Sequence, residues 1–287
     1  MGGYFFGGVC GISHFVPIRS FGLYGGCQER SSAISGTFNL TILVSRVLIV
    51  IPARYGSTRF LGKPLALIAG VSLIERVYRL CCQVGRVSRV IVATDDSRIE
   101  RHVLKFGGQV MMTRRDHPSG TDRVAEVARH HSCSMVINVQ GDEPLLDPRV
   151  IRKLINTMRR NPSIPVATLC HATASENESR DLNIVKVVVG CDGNALYFSR
   201  APIPYHYRTR SSFCMRRHIG IYAYRRRFLL KYVRWPQTPL EKVEGLEQLR
   251  ALERGVRIRV LETSYHALGV DVPEDVAKVE EVLMGKK

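Results

Sequence analysis

Acidic residues are scarce in this chain of 287 residues: 25 Asp and Glu stand against 42 Lys and Arg, a formal net charge of +17. That balance favours anionic partners, whether nucleotides, nucleic acid or an acidic membrane face. No block of five like charges occurs, so no basic tail is present to act as a nucleic-acid arm. The arginine runs Arg114-Arg115, Arg159-Arg160, Arg216-Arg217 and Arg225-Arg226-Arg227 fall at expected helix ends and loops, where a solvated surface accounts for them. Aromatics make up 8% of the chain, and Tyr205 and Tyr207 are too few to build a base-stacking platform. The eight cysteines show no C-x-x-C spacing and no matching His pair, which disfavours a disulfide framework or a zinc finger. Cys81, Cys133 and Cys170 lie in apolar stretches and read as small core side chains. A reduced, cytoplasmic protein fits.

A continuous apolar span is also missing. The stretch 39–51 is interrupted by Thr41, Ser45 and Arg46 and is too short to cross a bilayer, so no stable membrane anchor is expected. Residues 1–46 are rich in Gly, Ser and Phe, carry little charge, and lack the basic start and apolar core of a secretory signal. The next Met after Met1 is Met111. The reading is a translated upstream region with the start nearer Val44 or Val47, and a weakly ordered leader is the competing one.

From Val47 onward the pattern is regular. Val47 to Ile51 reads as a buried strand. Ser72-Leu73-Ile74-Glu75 opens a helix as a capping box, and so does Ser97-Arg98-Ile99-Glu100. Strands are expected at 89–94, 110–113 and 135–139, helices at 121–131 and 149–160, the latter after the cap and first-turn Pro of Asp147-Pro148. This alternation predicts an α/β fold built on a doubly wound, mostly parallel sheet within a single domain, 47–287. Ligands of such sheets sit at the carboxyl ends of the strands. The segment 171–235 breaks the rhythm with a hairpin at 184–199 and a strand at 218–224. It is expected as a β-rich insertion covering one edge of the sheet. A long helix from Thr238, a strand at 256–261 and a last helix at 273–283 complete the chain.

The loop Pro52 to Leu65 brings Arg54, Arg59 and Lys63 together among small residues, after the first strand. Guanidinium forks grip phosphate oxygens in pairs, and an ammonium acts as a point charge. The plain alternative is a solvated basic turn. Asp142, in a Gly turn after a strand, suits Mg2+, which takes one or two carboxylates and fills its shell with water and phosphate. Asp271 ends a second apolar segment. Each Asp taken alone is as well explained as a turn residue or helix cap. Ser119-Gly120-Thr121-Asp122-Arg123 stands between strand and helix, where a helix N-terminus and small hydroxyls can read a polar base edge or simply cap the helix.

Eight motifs then occur in order: Pro-Ala-Arg-x-x-Ser-x-Arg-x-x-Gly-Lys-Pro-Leu, Ala-Thr-Asp, Ser-Gly-Thr-Asp-Arg, Asn-Val-Gln-Gly-Asp-Glu-Pro, Tyr-Phe-Ser-Arg-Ala-x-Ile-Pro, Arg-His-Ile-Gly-Ile-Tyr, Pro-Leu-Glu and Gly-Val-Asp-x-Pro-Glu-Asp. Together they resemble the 3-deoxy-manno-octulosonate (Kdo) cytidylyltransferases over about Val47 to Val282. The resemblance implies a Rossmann-like nucleotidyltransferase fold and transfer of CMP from CTP to the anomeric hydroxyl of Kdo for lipopolysaccharide assembly. It implies Arg54, Arg59 and Lys63 on the triphosphate, with Ala53, Ser57, Thr94, Asp95, Ser119, Gly120, Thr121 and Arg123 around the nucleotide. It implies Mg2+ on Asp142 and Asp271, and Gln140, Arg200, His218 and Glu241 around Kdo. It further implies a homodimer through 171–235, with no nucleic-acid partner.

Two positions depart from the family pattern. Leu61 stands where Pro is usual, which removes a φ restraint and predicts a looser loop. Val272 stands where Thr is usual, which removes a hydroxyl cap and predicts that Asp271 is drawn into capping. Two rival readings remain: a cytidylyltransferase for another acidic sugar of the sialic acid type, and an RNA-binding protein driven by charge.

Overall fold

The structure, a computed structural model, describes residues 46–205, 207 and 214–285. The expectations for the leader 1–46 lie, except at Arg46, outside the described residues.

Chain order begins β1 (Val47–Ala53), a 3-10 turn (Lys63–Leu65), a small hairpin of β2 (Leu67–Ile68) and β3 (Val71–Ser72), α1 (Leu73–Cys82), β4 (Arg89–Thr94), α2 (Ser97–Lys105) and β5 (Val110–Met112). It continues with α3 (Gly120–His130), β6 (Met135–Asn138), α4 (Pro148–Arg160) and β7 (Val166–Thr173). The remainder is α5 (Glu176–Arg180), β8 (Lys186–Val189), β9 (Ala195–Ser199), β10 (Met215–Arg225), α6 (Arg226–Tyr232), α7 (Pro239–Glu244), α8 (Leu249–Glu253), β11 (Ile258–Glu262) and α9 (Glu274–Leu283).

The main sheet runs β11-β7-β10-β6-β1-β4-β5. Only β10 opposes the others; the β6–β1, β1–β4, β4–β5 and β7–β11 pairs are parallel. β1 shows why this sheet is covered on both sides. Val47, Ile49 and Ile51 enter one core, with Val77 of α1 and Leu154 of α4. Leu48 and Val50 enter the other, with Val124 of α3 and Leu229 of α6. A strand buried on both faces has no polar face to present, hence its unbroken apolar run.

The caps follow the expectations with one shift. Ser72 accepts the Glu75 amide at 3.3 Å, Asp147 accepts that of Arg149 at 2.8 Å, and the Glu241 carboxylate reaches back to accept the Thr238 amide at 3.3 Å. For α2 the cap is Asp96, one residue before the expected Ser97, because the carboxylate reaches the Arg98 amide at 2.9 Å.

Three differences are larger. The helix expected to run on from Thr238 is interrupted at Gly245, which takes φ 62°, and resumes only as the short α8. β7 was not expected from the sequence. The segment 171–235 does not merely cover an edge: its strand β10 lies inside the sheet, paired on both sides with β6 and β7. The β8–β9 hairpin alone stands off the main path, joined to β10 at Lys186 and Arg217.

Candidate active site

The carboxyl ends of β1 and β6 set the site. β1 turns out at Ala53 into the basic loop, and β6 continues through Val139 and Gln140 to Gly141 and Asp142. A side chain at Gly141 would place a Cβ 3.1 Å from the Pro52 carbonyl, so glycine lets these two strand ends close on each other. Between them lies a cleft of about 370 Å3, lined by Ala53, Arg54, Ser57, Arg59, Lys63 and Asp142 among others.

The loop is firmly shaped. The Lys63 amide donates to the Phe60 carbonyl at 3.1 Å, and Gly62, with φ 71° and ψ 14°, occupies the third position of that turn. This is a type II turn, whose third residue must have positive φ. The Gly62 amide also donates to the Tyr55 carbonyl at 2.9 Å, and the Gly62 Cα lies against the Tyr55 ring. The Arg98 guanidinium stacks over that ring, 3.3 Å from its centroid. Exposed Leu61 occupies the second position of the turn, so the loop is closed without the usual proline.

The charges converge. Lys63 Nζ donates to Asp142 Oδ2 at 2.9 Å, to the Val270 carbonyl at 2.9 Å and to Asp271 Oδ1 at 3.4 Å. Arg59 Nη2 meets Asp271 Oδ1 at 3.2 Å. Arg54 is exposed on the cleft wall and has no hydrogen-bond partner among the described residues. Asp271 does not cap α9, contrary to expectation. Asp275 accepts the backbone amides of Asp271 and Val272 at 2.9 and 3.2 Å, which leaves the Asp271 carboxylate turned toward the cations. Behind Asp142, the Glu143 carboxyl is buried against Tyr265, and burial followed by repulsion from Asp142 raises its pKa to about 7.

The nucleotide-side residues divide. Ser119 caps α3 by accepting the Asp122 amide at 3.2 Å, and Gly120 packs against the Pro52 ring beside the cleft. Thr94, Asp95 and Arg123 do not line the cleft. Arg123 is buried, pairs with Asp95 Oδ2 at 3.0 Å and donates to the Thr113 hydroxyl. The Thr94 carbonyl accepts from Thr113 at 2.8 and 3.0 Å. This cluster braces the floor below α3.

A second cavity of about 400 Å3 gathers Thr121, Gln140, Arg200, His218 and, unforeseen from the sequence, Glu247. Gln140 belongs to both cavities and donates to the Gly220 carbonyl at 3.2 Å. Arg200 is held by the carbonyls of Glu244 at 2.9 Å and Leu182 at 2.8 Å. His218 bonds the Thr168 hydroxyl at 2.9 Å, and burial lowers its pKa to about 3, so it is neutral at pH 7. Glu241 does not join this group. It is buried, accepts the Thr238 amide and pairs with Arg250, with Oε2 2.8 Å from Nε. Glu247 stands there instead: Thr121 Oγ1 donates to Oε2 at 2.9 Å and Ser119 Oγ to Oε1 at 3.3 Å. Burial raises its pKa to about 7. Its position follows the helix break at Gly245, a signal that was read as continuing helix.

Among the described residues no three His, Cys, Asp or Glu gather as a metal cage. The oxygens around Lys63 are of another kind: two carboxylates and a carbonyl already holding a cation, a hard-donor set that fits Mg2+ completed by water and phosphate.

Comparison with known proteins gives a consistent result. The cytidylyltransferase family model matches residues 48–258. The 3-deoxy-manno-octulosonate cytidylyltransferase of Syntrophotalea carbinolica is 51% identical over 244 residues, covering 82% of this chain and 98% of that protein. Its Escherichia coli counterpart is 47% identical over 240 residues, covering 84% and 97%. A solved structure of CMP:2-keto-3-deoxy-manno-octonic acid synthetase complexed with CTP superposes with a TM-score of 0.81 at 47% identity, covering 85% of this chain and all of that one. At 14% identity, 4-diphosphocytidyl-2C-methyl-D-erythritol synthase from Anaerococcus prevotii shares the fold alone, with a TM-score of 0.56.

Proposed function

This chain belongs to the cytidylyltransferase family, among the 3-deoxy-manno-octulosonate enzymes, and we propose that it transfers CMP from CTP to the anomeric hydroxyl of Kdo, releasing pyrophosphate. The observation that carries this reading is the convergence of Arg59, Lys63, Asp142 and Asp271 beside one cavity, joined through Gln140 to another holding Arg200 and His218.

In the proposed reaction the anomeric oxygen attacks the α-phosphorus, the bond to the bridging oxygen of the β-phosphate breaks so that pyrophosphate leaves, and the hydroxyl proton passes to solvent water. Such transfers depend on positioning and on charge stabilisation more than on covalent help from the protein. Arg54, Arg59 and Lys63 hold the triphosphate and offset the charge that grows on pyrophosphate. Ala53 and Ser57 form the cleft wall beside them. Asp142 and Asp271 would hold Mg2+, which would lower the pKa of the attacking hydroxyl. The start of α3, Ser119 to Thr121, takes the cytosine end, with Thr94, Asp95 and Arg123 bracing it from beneath. Gln140, Arg200, His218 and Glu247 surround the sugar, with Arg200 on its carboxylate and neutral His218 exchanging hydrogen bonds with its hydroxyls. Glu241 acts through the fold, holding α7 and α8 together by its pair with Arg250.

A homodimer through 171–235 is part of the proposal, and Leu182 and Leu196 of that segment are 64% and 63% exposed. Residence in the cytoplasm agrees with the free thiols of Cys81, Cys82, Cys133, Cys170 and Cys191.

The test is pyrophosphate release from CTP and Mg2+ with Kdo, and separately with a sialic acid. Release with Kdo, abolished by Asp142→Ala, supports the reading. Turnover with the sialic acid alone would move the assignment to that sugar.

A further inference from the structure

Lys63 occupies an unusual place for a residue assigned to the triphosphate. Its three ammonium hydrogens have three acceptors, namely Asp142 Oδ2, the Val270 carbonyl and Asp271 Oδ1. The donors of Lys63 are thus fully engaged on the very oxygens that fit Mg2+. The side chain is only 16% exposed, so this is a seated cation rather than a solvated one. Two carboxylates facing one point repel each other unless something positive lies between them.

We propose that Lys63 is a resident stand-in cation, filling the metal position in the empty enzyme and moving to the triphosphate when CTP and metal enter together. The inference rests on the metal assignment made above. Lys63 lines the same cleft as Arg54 and Arg59, at the start of a short 3-10 turn. Its four-carbon stem lets Nζ swing from carboxylate to phosphate by side-chain rotation alone. A metal arriving without nucleotide must evict an ammonium from three hydrogen bonds and leave it unpaired. A metal arriving with CTP gives that ammonium a new anion. The affinities for metal and nucleotide are therefore coupled through Lys63, and the coupling is reciprocal. A permanent strut predicts the opposite: without Lys63 the two carboxylates lose their alignment and metal binding weakens.

Mn2+ binding separates the two, read from the paramagnetic signal of free Mn2+ with and without CTP and with no sugar present. Mn2+ held by CTP alone is subtracted with Asp142→Asn. Without CTP, Lys63→Met should bind Mn2+ roughly tenfold tighter than the unaltered protein, the scale of one partly buried ion pair. CTP should then tighten Mn2+ binding by a larger factor in the unaltered protein than in the variant. Equal or weaker Mn2+ binding by a folded Lys63→Met protein overturns the proposal, and Lys63→Gln serves if the Met variant does not fold. If the unaltered protein with CTP binds no Mn2+ that Asp142→Asn removes, the metal assignment itself falls, and the stand-in role with it.

Discussion

Asp275 holds the backbone amide of Asp271 on its Oδ2 at 2.9 Å, and by doing so it frees the Asp271 carboxylate for the active-site cleft. Asp271, expected to be drawn into capping, does not cap α9, and Asp275 in its first turn holds the amides of the two residues that lead into it. Asp275→Ala should cost about 1 kcal/mol of stability, as loss of a helix cap does. It should also raise the Mg2+ concentration needed for half-maximal pyrophosphate release, because the backbone that presents the Asp271 carboxylate is then no longer held. Asp275→Asn, which keeps an acceptor, should lie between the two. Thermal melting and a Mg2+ titration of the three proteins check this.

The turn Phe60 to Lys63 makes opposite predictions for neighbouring residues. Gly62→Ala forces a Cβ onto a positive-φ residue 3.1 Å from the Tyr55 ring, and should cost about 1–2 kcal/mol and raise the KM for CTP. Leu61→Pro places proline at the second position of a type II turn, where its fixed φ fits, and should stabilise by about 0.4–1 kcal/mol without loss of activity. Melting temperatures and CTP kinetics of both variants decide it.

Glu247 titrates near pH 7 in the folded protein, against about 4.3 when unfolded. The folded state then binds the extra proton between these values, so stability from this group is present below about pH 4.3 and lost as pH rises through 7. Glu247→Gln should remove that decline and stabilise the protein at pH 8 by on the order of 1–3 kcal/mol. It should also alter Kdo affinity if the carboxylate faces the sugar. Denaturant melts from pH 4.5 to 8 read the first effect, and KM for Kdo the second.

His218 gives the opposite slope. Packed against Phe198 and Tyr222, it titrates near pH 3 when folded and about 6.5 when unfolded. The unfolded chain binds the extra proton in that window, so stability is complete above about pH 6.5 and lost as pH falls toward 3. The stability difference between the unaltered protein and His218→Asn should shrink over that window. A difference that stays flat in melts from pH 7 to 4 would show that the imidazole is not buried neutral.

Much of the site was legible because chemistry-bearing residues sat at strand ends that periodicity could locate. Val47 to Ile51 marks β1, so the loop that follows had to leave at the rim, and the Asp142 turn had to leave β6 at the same rim. The second cavity was harder. Glu241 and Glu247 both sit in a stretch that reads as one helix, and only the positive φ of Gly245 divides it, turning the first into a buried partner of Arg250 and the second into the cavity. Arg123 likewise reads as a ligand-facing cation until its pairing with Asp95 is seen.

Local pattern therefore determined the parallel α/β frame, most of the caps, and the placing of the basic loop and both aspartates at one rim. Those features depend on near neighbours: a 2.0 or 3.6 residue period, a cap three residues before its partner, a glycine at a tight turn. Tertiary structure alone decided that β10 enters the sheet between β6 and β7. It also decided that Asp275 holds the amides of Asp271 and Val272, and that Lys63 sits between two carboxylates about 80 and 200 residues away in the chain. Pairings at that separation leave no periodic trace, since they are set by which burial and charge neutralisation the whole chain satisfies at once.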